Sequence, residues 1–240
     1  MKTITSRENP LLKSTRKLAA SPKERRKAGK TLLDGIHLVA AYHEAGGLPE
    51  AVMVSASAQD RPEIRDFLRK APPDNFIILS DELFRGISTV DAPTGIVALI
   101  RIPQPVEGGA DCCVLLEDVQ DPGNLGSILR SAAAAGIGRI YLSPGCADAW
   151  SPKVLRAGMG AHFHLFIHEN SDLLAAARNF PGQVVATALD ADKTLFNLDL
   201  SGPTAFVIGN EGAGVSEDLL AEADSRVTIP MPGTAESLNA

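Results

Sequence analysis

Polar side chains able to do chemistry crowd one short stretch of the chain: Asp118, Gln120, Asp121, Asn124 and Arg130. The apolar run Cys112 to Leu116 just before them reads as a buried strand. Pro122 sits where a helix would begin and Gly136 where it would stop. The alanines from Ala132 to Ala135 favour helix and leave room for close packing. A lone Arg beyond the first turn of such a helix is commonly a solvated charge. Strand-to-helix junctions, however, are where α/β folds hold ligands, so both readings of Arg130 stand on local grounds.

A second candidate is the loop Gly209-Asn210-Glu211-Gly212-Ala213-Gly214, which follows the apolar run Ala205 to Ile208. Glycines let backbone N–H groups approach a ligand. No Gly-Lys-Ser/Thr follows, and the spacing is not that of a dinucleotide fingerprint. Glu211 would repel phosphates and suits a cationic or hydroxyl-bearing ligand, or the orienting of an Arg; a structural tight turn explains the loop about as well. His162, His164 and His168 would put two imidazoles on one face of a strand, a zinc-like geometry with only Glu169 nearby to add. Ordinary half-buried strand histidines are the favoured reading. No serine sits in a nucleophile elbow.

The elements that must position these groups belong to a chain of 240 residues, 45% hydrophobic and 22% charged, which describes a soluble globular protein of two domains. No apolar run approaches the roughly 20 residues of a membrane span. The basic N-terminus lacks a signal-peptide core, so a cytoplasmic protein without a membrane partner is expected. Three cysteines make no disulfide framework and read as core thiols. The net charge of −6 is unevenly spread, because residues 1–30 hold ten Lys or Arg against two Glu. A basic arm on an acidic body is a footprint of nucleic-acid contact, although a solvated surface helix is an equal reading of charge alone.

Taken in order, Asn9-Pro10 opens a helix and Ser21-Pro22 a second basic one. Strands are predicted at Thr31 to Leu33, Ala51 to Val54, Phe76 to Leu79 and Gly95 to Ile100, with helices at Ile36 to Ala45, Pro62 to Lys70 and after Ser80. Residues 1–101 thus form a small α/β domain and 102–110 a Pro- and Gly-rich linker. Residues 111–240 form a second α/β domain. Its predicted strands include Arg139 to Leu142, Phe163 to Ile167, Gln183 to Ala188 and Arg226 to Ile229, with helices at Asp172 to Asn179 and Ser216 to Ala223. The stretch around Trp150-Ser151-Pro152 is predicted to be irregular.

Three stretches in this order resemble the signature motifs of the SpoU (TrmH-like) RNA 2′-O-methyltransferases of the SPOUT superfamily. They are Asn124 to Arg130, Val207 to Gly212, and Ile229-Pro230-Met231 with Ser237-Leu238-Asn239. Ser151-Pro152-Lys153 through Ala161 is similar to the family's intervening loop. Asn9 to Lys13 and Leu33-Asp34-Gly35 are similar to its L7Ae/L30e-like RNA substrate-binding domain, with Asp34 where Glu is usual. The resemblance implies a C-terminal α/β domain with a trefoil knot, against the general rule that chains are unknotted. It also implies a final helix beyond Asn239 that completes the knot and packs on a second subunit, so the domain is expected to end here before its last helix.

The resemblance further implies S-adenosylmethionine as cofactor, contacted by Gly209, Ile229 and Leu238, with Thr187, Ala188 and Met231 lining the pocket. The implied catalytic set is Asn124, Arg130, Glu211, Ser237 and Asn239. No metal is needed, and a homodimer is expected. The acceptor would be a ribose 2′-hydroxyl, which RNA has and DNA lacks. Ribosomal RNA is the first candidate and transfer RNA the second, with Lys13, Arg16, Lys17, Arg25 and Arg26 as phosphate contacts. A guanidinium keeps its proton, so Arg130 is expected to stabilise alkoxide charge and clamp a phosphate, oriented by Glu211 and Asn124. A catalytically silent RNA-binding scaffold is the alternative. A Rossmann-like dinucleotide enzyme lacks its fingerprint.

Overall fold

The alternation of strands and helices builds two sheets in a computed structural model that describes residues 2–70, 76–105, 111–191 and 193–230. The chain divides into two units, residues 1–103 with 150–163 and residues 104–149 with 164–240. No helix among the described residues is long and apolar enough to cross a membrane.

The first unit begins with β1 (Lys2–Ile4), α1 (Pro10–Ala20) and α2 (Pro22–Ala28). It continues through β2 (Lys30–Asp34), α3 (Ile36–Glu44), β3 (Ala51–Ser55), α4 (Pro62–Lys70), β4 (Phe76–Leu79), α5 (Asp81–Arg85) and β5 (Ile96–Arg101). Its sheet runs β1-β4-β3-β5-β2, with β5 antiparallel to both neighbours. The helix starts follow from local chemistry. Asn9 accepts from the Leu11 N–H and Ser21 from the Glu24 N–H, each with Pro at the first helical position. Leu12 and Leu18 of α1 are buried in one cluster with Leu32, Met53, Leu79 and Phe84.

This packing decides the fate of one expected RNA contact. Arg25 on α2 is only 3% exposed. Its Nη1 donates to the carbonyls of Leu18 at 2.5 Å and Ala19 at 3.3 Å. Those carbonyls end α1 and have no helical partner, so Arg25 is spent on closing that helix rather than on phosphate.

In the second unit β6 (Cys112–Leu116) leads into α6 (Pro122–Ala134) and β7 (Arg139–Leu142). The chain then leaves for the first unit as α7 (Pro152–Gly158) and a 3-10 turn (Ala161–His164). It returns through β8 (Phe166–His168), α8 (Leu173–Arg178), β9 (Gln183–Thr187), β10 (Lys193–Thr194), β11 (Thr204–Ile208), α9 (Glu217–Glu222) and β12 (Ser225–Thr228). The sheet order is β10-β12-β9-β11-β6-β7-β8, and every pair is parallel. The central strands β6, β9 and β11 are mostly buried and apolar, as strands covered on both faces must be. Burial pushes the Cys113 thiol up to about 12, in keeping with a core thiol.

Segment 150–163 departs from the sequence-based boundary at 102–110, because it packs within the first unit. The Thr31 hydroxyl donates to the Trp150 carbonyl at 2.6 Å, Trp150 is buried, and Tyr42 meets Phe163 edge-on. Arg156 donates to the Thr89 hydroxyl at 2.8 Å, and that hydroxyl donates to Asp34 at 2.9 Å. Where irregular chain is predicted, Ser151 caps α7 by accepting from the Val154 N–H, and Pro152 follows at the first helical position. The histidine pattern is corrected as well. His162 and His164 lie on the 3-10 turn, the strand starts only at Phe166, and His168 stacks on Tyr141. No group of three His, Cys, Asp or Glu among the described residues could hold a metal ion.

Replacing Arg25 with Ala removes a buried donor from two carbonyls and is expected to lower stability by about 1–3 kcal/mol. Urea unfolding of the variant against wild type measures it; a loss no larger than for an exposed lysine such as Lys23→Ala would contradict the buried role.

Candidate active site

β6 and β11 pair in register from Cys112 opposite Thr204 to Leu116 opposite Ile208, so both strands end at the same edge. The Glu117 N–H donates to the Ile208 carbonyl at 2.9 Å and extends the ladder by one bond. Beyond it lie the junction 117–121, which enters α6, and the glycine loop 209–214. These are the carboxyl ends of parallel strands, where open α/β sheets bind ligands.

The loop is closed by its own backbone. Asn210 and Gly214 exchange N–H to carbonyl bonds of 3.0 and 2.9 Å. A methyl group at Gly209 would overlap the Gly214 carbonyl and the Val215 nitrogen, so this loop shape requires glycine there. The side chain of Asn210 accepts from the N–H groups of Gly212 and Ala213 and donates to the Asp118 carbonyl at 2.8 Å.

Glu211 at the loop's tip accepts from Asn124 Nδ2 at 2.8 Å, joining residues 87 apart in sequence. Asn124 is the third residue of α6, whose first turn is fixed by Asp121: its carboxylate accepts from the N–H groups of Gly123 and Asn124. The Asn124 amide foremost, together with backbone N–H groups of Glu211, Asp121 and Gln120, holds the Glu211 carboxyl below the usual carboxylate range. Burial opposes this, but the donors together outweigh it. The partial positive charge at the start of α6 favours the same ionised form.

Arg130 is not brought to this pair. Six residues after Asn124 on a helix means about 9 Å along the axis and about 120° around it. Arg130 is exposed and makes no hydrogen bond or ion pair among the described residues. The orienting contact expected from Glu211 and Asn124 to Arg130 is replaced by the contact between Glu211 and Asn124 themselves.

The expected cofactor residues that are described lie at the ends of three adjacent strands. Thr187 closes β9 and donates its hydroxyl to the Val207 carbonyl at 3.2 Å, and the Ala188 N–H donates to Val227 at 2.9 Å. Gly209 follows β11, and Ile229 follows β12 with its side chain 39% exposed. Met231, Ser237, Leu238 and Asn239 lie outside the described residues.

On the first unit, Lys13 pairs with Glu8, and the Arg16 guanidinium donates to the Gly86 carbonyl at 3.2 Å. Lys17 and Arg26 are exposed, as are Lys23 and Lys27. The last three fall on one face of α2 at helical spacing, opposite the buried Arg25.

Two supporting residues emerge only from the fold. Asn210 carries the signal of an Asn in a glycine-rich loop, which forms local side-chain turns. Ser143, at the tip of β7, accepts from the Asp118 N–H and donates to the Asp118 carboxylate, with no sequence signal for either bond.

Comparison with known proteins agrees in both halves. Residues 111–240 match the SpoU rRNA Methylase family, and residues 9–98 match the MRM3-like substrate binding domain. An uncharacterized tRNA/rRNA methyltransferase of Synechocystis is 35% identical, over 98% of this chain and 88% of that protein. The 23S rRNA (guanosine(2553)-2'-O)-methyltransferase RlmP of Bacillus subtilis is 32% identical, over 100% of this chain and 94% of its own. The crystal structure of the SpoU methyltransferase AviRb from Streptomyces viridochromogenes, in complex with AdoMet, superposes with a TM-score of 0.84 at 28% identity. That match covers 97% of this chain and 93% of the other.

A lowered carboxyl contributes stability that is present above the unfolded carboxylate range and lost as pH falls through the folded value. For Glu211, Asn124→Ala removes the largest cause of the lowering. An NMR titration of the Glu211 carboxyl should show its midpoint move up; an unmoved midpoint would mean that Asn124 does not hold it.

Proposed function

The chain belongs to the SpoU rRNA methylase family and is an S-adenosylmethionine-dependent RNA 2′-O-methyltransferase, and on that premise we propose that Asn124 and Glu211 form the base of its methyl-transfer site on ribosomal RNA, with the exposed Arg130 further along α6 supplying positive charge to it. The observation that carries this reading is the hydrogen bond between Asn124 and Glu211, which joins the entry of α6 to the glycine loop at the carboxyl edge of the sheet.

S-Adenosylmethionine, when bound, supplies a methyl group on a positively charged sulfur, so the donor arrives already activated. The strand ends suit such a group. They offer backbone groups and the Thr187 hydroxyl for an adenosine, the half-exposed Ile229 side chain for an apolar surface, and an ionised Glu211 that disfavours phosphate. Met231 and Leu238 complete the set that the resemblance implies, as do Ser237 and Asn239 on the ribose side.

What the protein must supply is position and charge for a weakly acidic hydroxyl. The Arg130 guanidinium is not a base and Glu211, held acidic, is a weak one, so the proton released by the hydroxyl passes to solvent water and the role of both residues is electrostatic. The exposed Arg130 guanidinium stabilises negative charge developing on the 2′ oxygen and clamps a neighbouring phosphate with its fork of donors. Glu211 and Asn124 fix the floor on which the ribose is placed. Lys17, Lys23, Arg26 and Lys27 of the first unit hold the RNA backbone, a contact that weakens as salt rises. A homodimer belongs to the same reading. It rests on the resemblance and on Leu189 and Phe196, apolar side chains 75% and 78% exposed that a second copy would cover.

The direct test is methyl incorporation from labelled S-adenosylmethionine into unmodified ribosomal and transfer RNA, with mapping of the modified ribose. Label in ribosomal RNA is expected. Label confined to transfer RNA would overturn the substrate, and cofactor binding without label in either would point to a silent RNA-binding scaffold.

Arg130→Lys keeps the charge and loses the planar fork, and should lower kcat by about 10²–10³-fold. Single-turnover rates on the mapped RNA decide it, and turnover near wild type would remove Arg130 from the chemistry.

A further inference from the structure

We propose that Asn210 is a positioning residue: by tying the glycine loop to the carbonyl of Asp118, it sets the reach of Glu211 toward Asn124. The proposal rests on the reading of Glu211 as part of the methyl-transfer site.

The two oxygens and two nitrogens that Asn210 commits have different jobs. Its backbone N–H and carbonyl close the loop on Gly214. Its side-chain oxygen accepts from Gly212 and Ala213 at 2.9 and 3.0 Å, a local turn of the kind Asn forms readily. A closed loop needs nothing more. The amide nitrogen instead reaches out of the loop to the Asp118 carbonyl at 2.8 Å, the next residue after Glu117 at the end of the β6 ladder. Glu211 follows directly, so this bond fixes the base from which its side chain extends to α6.

The acceptor is itself held with care. Asp118 has φ +52, a left-handed conformation that a non-glycine residue adopts at a cost. Ser143 holds it there, accepting from the Asp118 N–H at 2.9 Å and donating to the Asp118 carboxylate at 2.6 Å. A methyl group on Gly145 would overlap that carboxylate, so the tip of β7 is shaped around it. A chain of contacts therefore runs from the tip of β7 through Asp118 and Asn210 to Glu211.

Asn210→Ser separates the two jobs. A serine hydroxyl can still accept from the loop's N–H groups but is too short to reach Asp118. The variant should unfold cooperatively, with the KM for S-adenosylmethionine nearly unchanged and kcat lowered by about 10²-fold, the scale of a misplacement near 1 Å. Its Glu211 carboxyl should titrate higher than wild type by NMR. Ser143→Ala, which loosens Asp118 without touching the loop, should move both readouts in the same direction and serves where the Asn210 variant fails to fold. Wild-type kcat and an unmoved Glu211 titration in either folded variant would overturn the proposal. If wild-type protein methylates no RNA, the functional reading falls, while the Glu211 titration still decides whether Asn210 positions it.

Discussion

The parallel pairing of β6 with β11 is the constraint on which the candidate site depends. Parallel strands deliver their carboxyl ends to one edge, so the entry of α6 and the glycine loop become neighbours although their functional residues are 87 apart. The register is set by apolar side chains buried along both strands, including Cys113, Leu115, Ala205 and Val207. A slip of one residue would turn every side chain of a strand to its other face and shift the loop by about 3.3 Å. That shift exceeds the 2.8 Å bond from Asn124 to Glu211, so the core register and the site geometry are one requirement.

Around that edge the charges are sorted by what holds them. Glu211 is exposed, yet its carboxyl is held low because fixed amide donors surround its ionised form. Arg130 starts from the same helix as Asn124 but lies more than a turn away, with no acidic partner among the described residues to neutralise it. A guanidinium left free in this way keeps all its donors unspent, whereas a pre-formed pair with Glu211 would have consumed some of them.

The basic arm shows the same sorting at the other end of the chain. Arg25 and Arg26 are adjacent in sequence and identical in chemistry, but α2 turns one toward the end of α1 and the other toward solvent. Lys13 and Arg16 are partly engaged, with Glu8 and with the Gly86 carbonyl. The exposed cations of α1 and α2 that make no such contact are Lys17, Lys23, Arg26 and Lys27, a set only partly shared with the residues that charge alone suggests.

How far the chain could be read follows from how local each determinant is. Asn9-Pro10, Ser21-Pro22, Asp121-Pro122 and Ser216 start helices through bonds within four residues, so residue types determine them. The apolar runs that become β6, β9 and β11 mark buried parallel strands for the same reason. Ser151-Pro152 carried the same helix-start signal, but α7 is short and bounded by irregular chain, and its packing on the first unit rests on partners such as Thr31 and Thr89 that are distant in sequence. By itself the sequence determined two α/β domains, the helix starts and the family motifs, with Asn124 and Glu211 among their candidate residues. Only tertiary structure decided that Glu211 meets Asn124 and not Arg130, that Arg25 is buried, and that Asp118, Ser143 and Asn210 form one support. Each of these depends on which distant backbone lies within about 3 Å, and hydrogen bonds of that length leave no trace in local spacing.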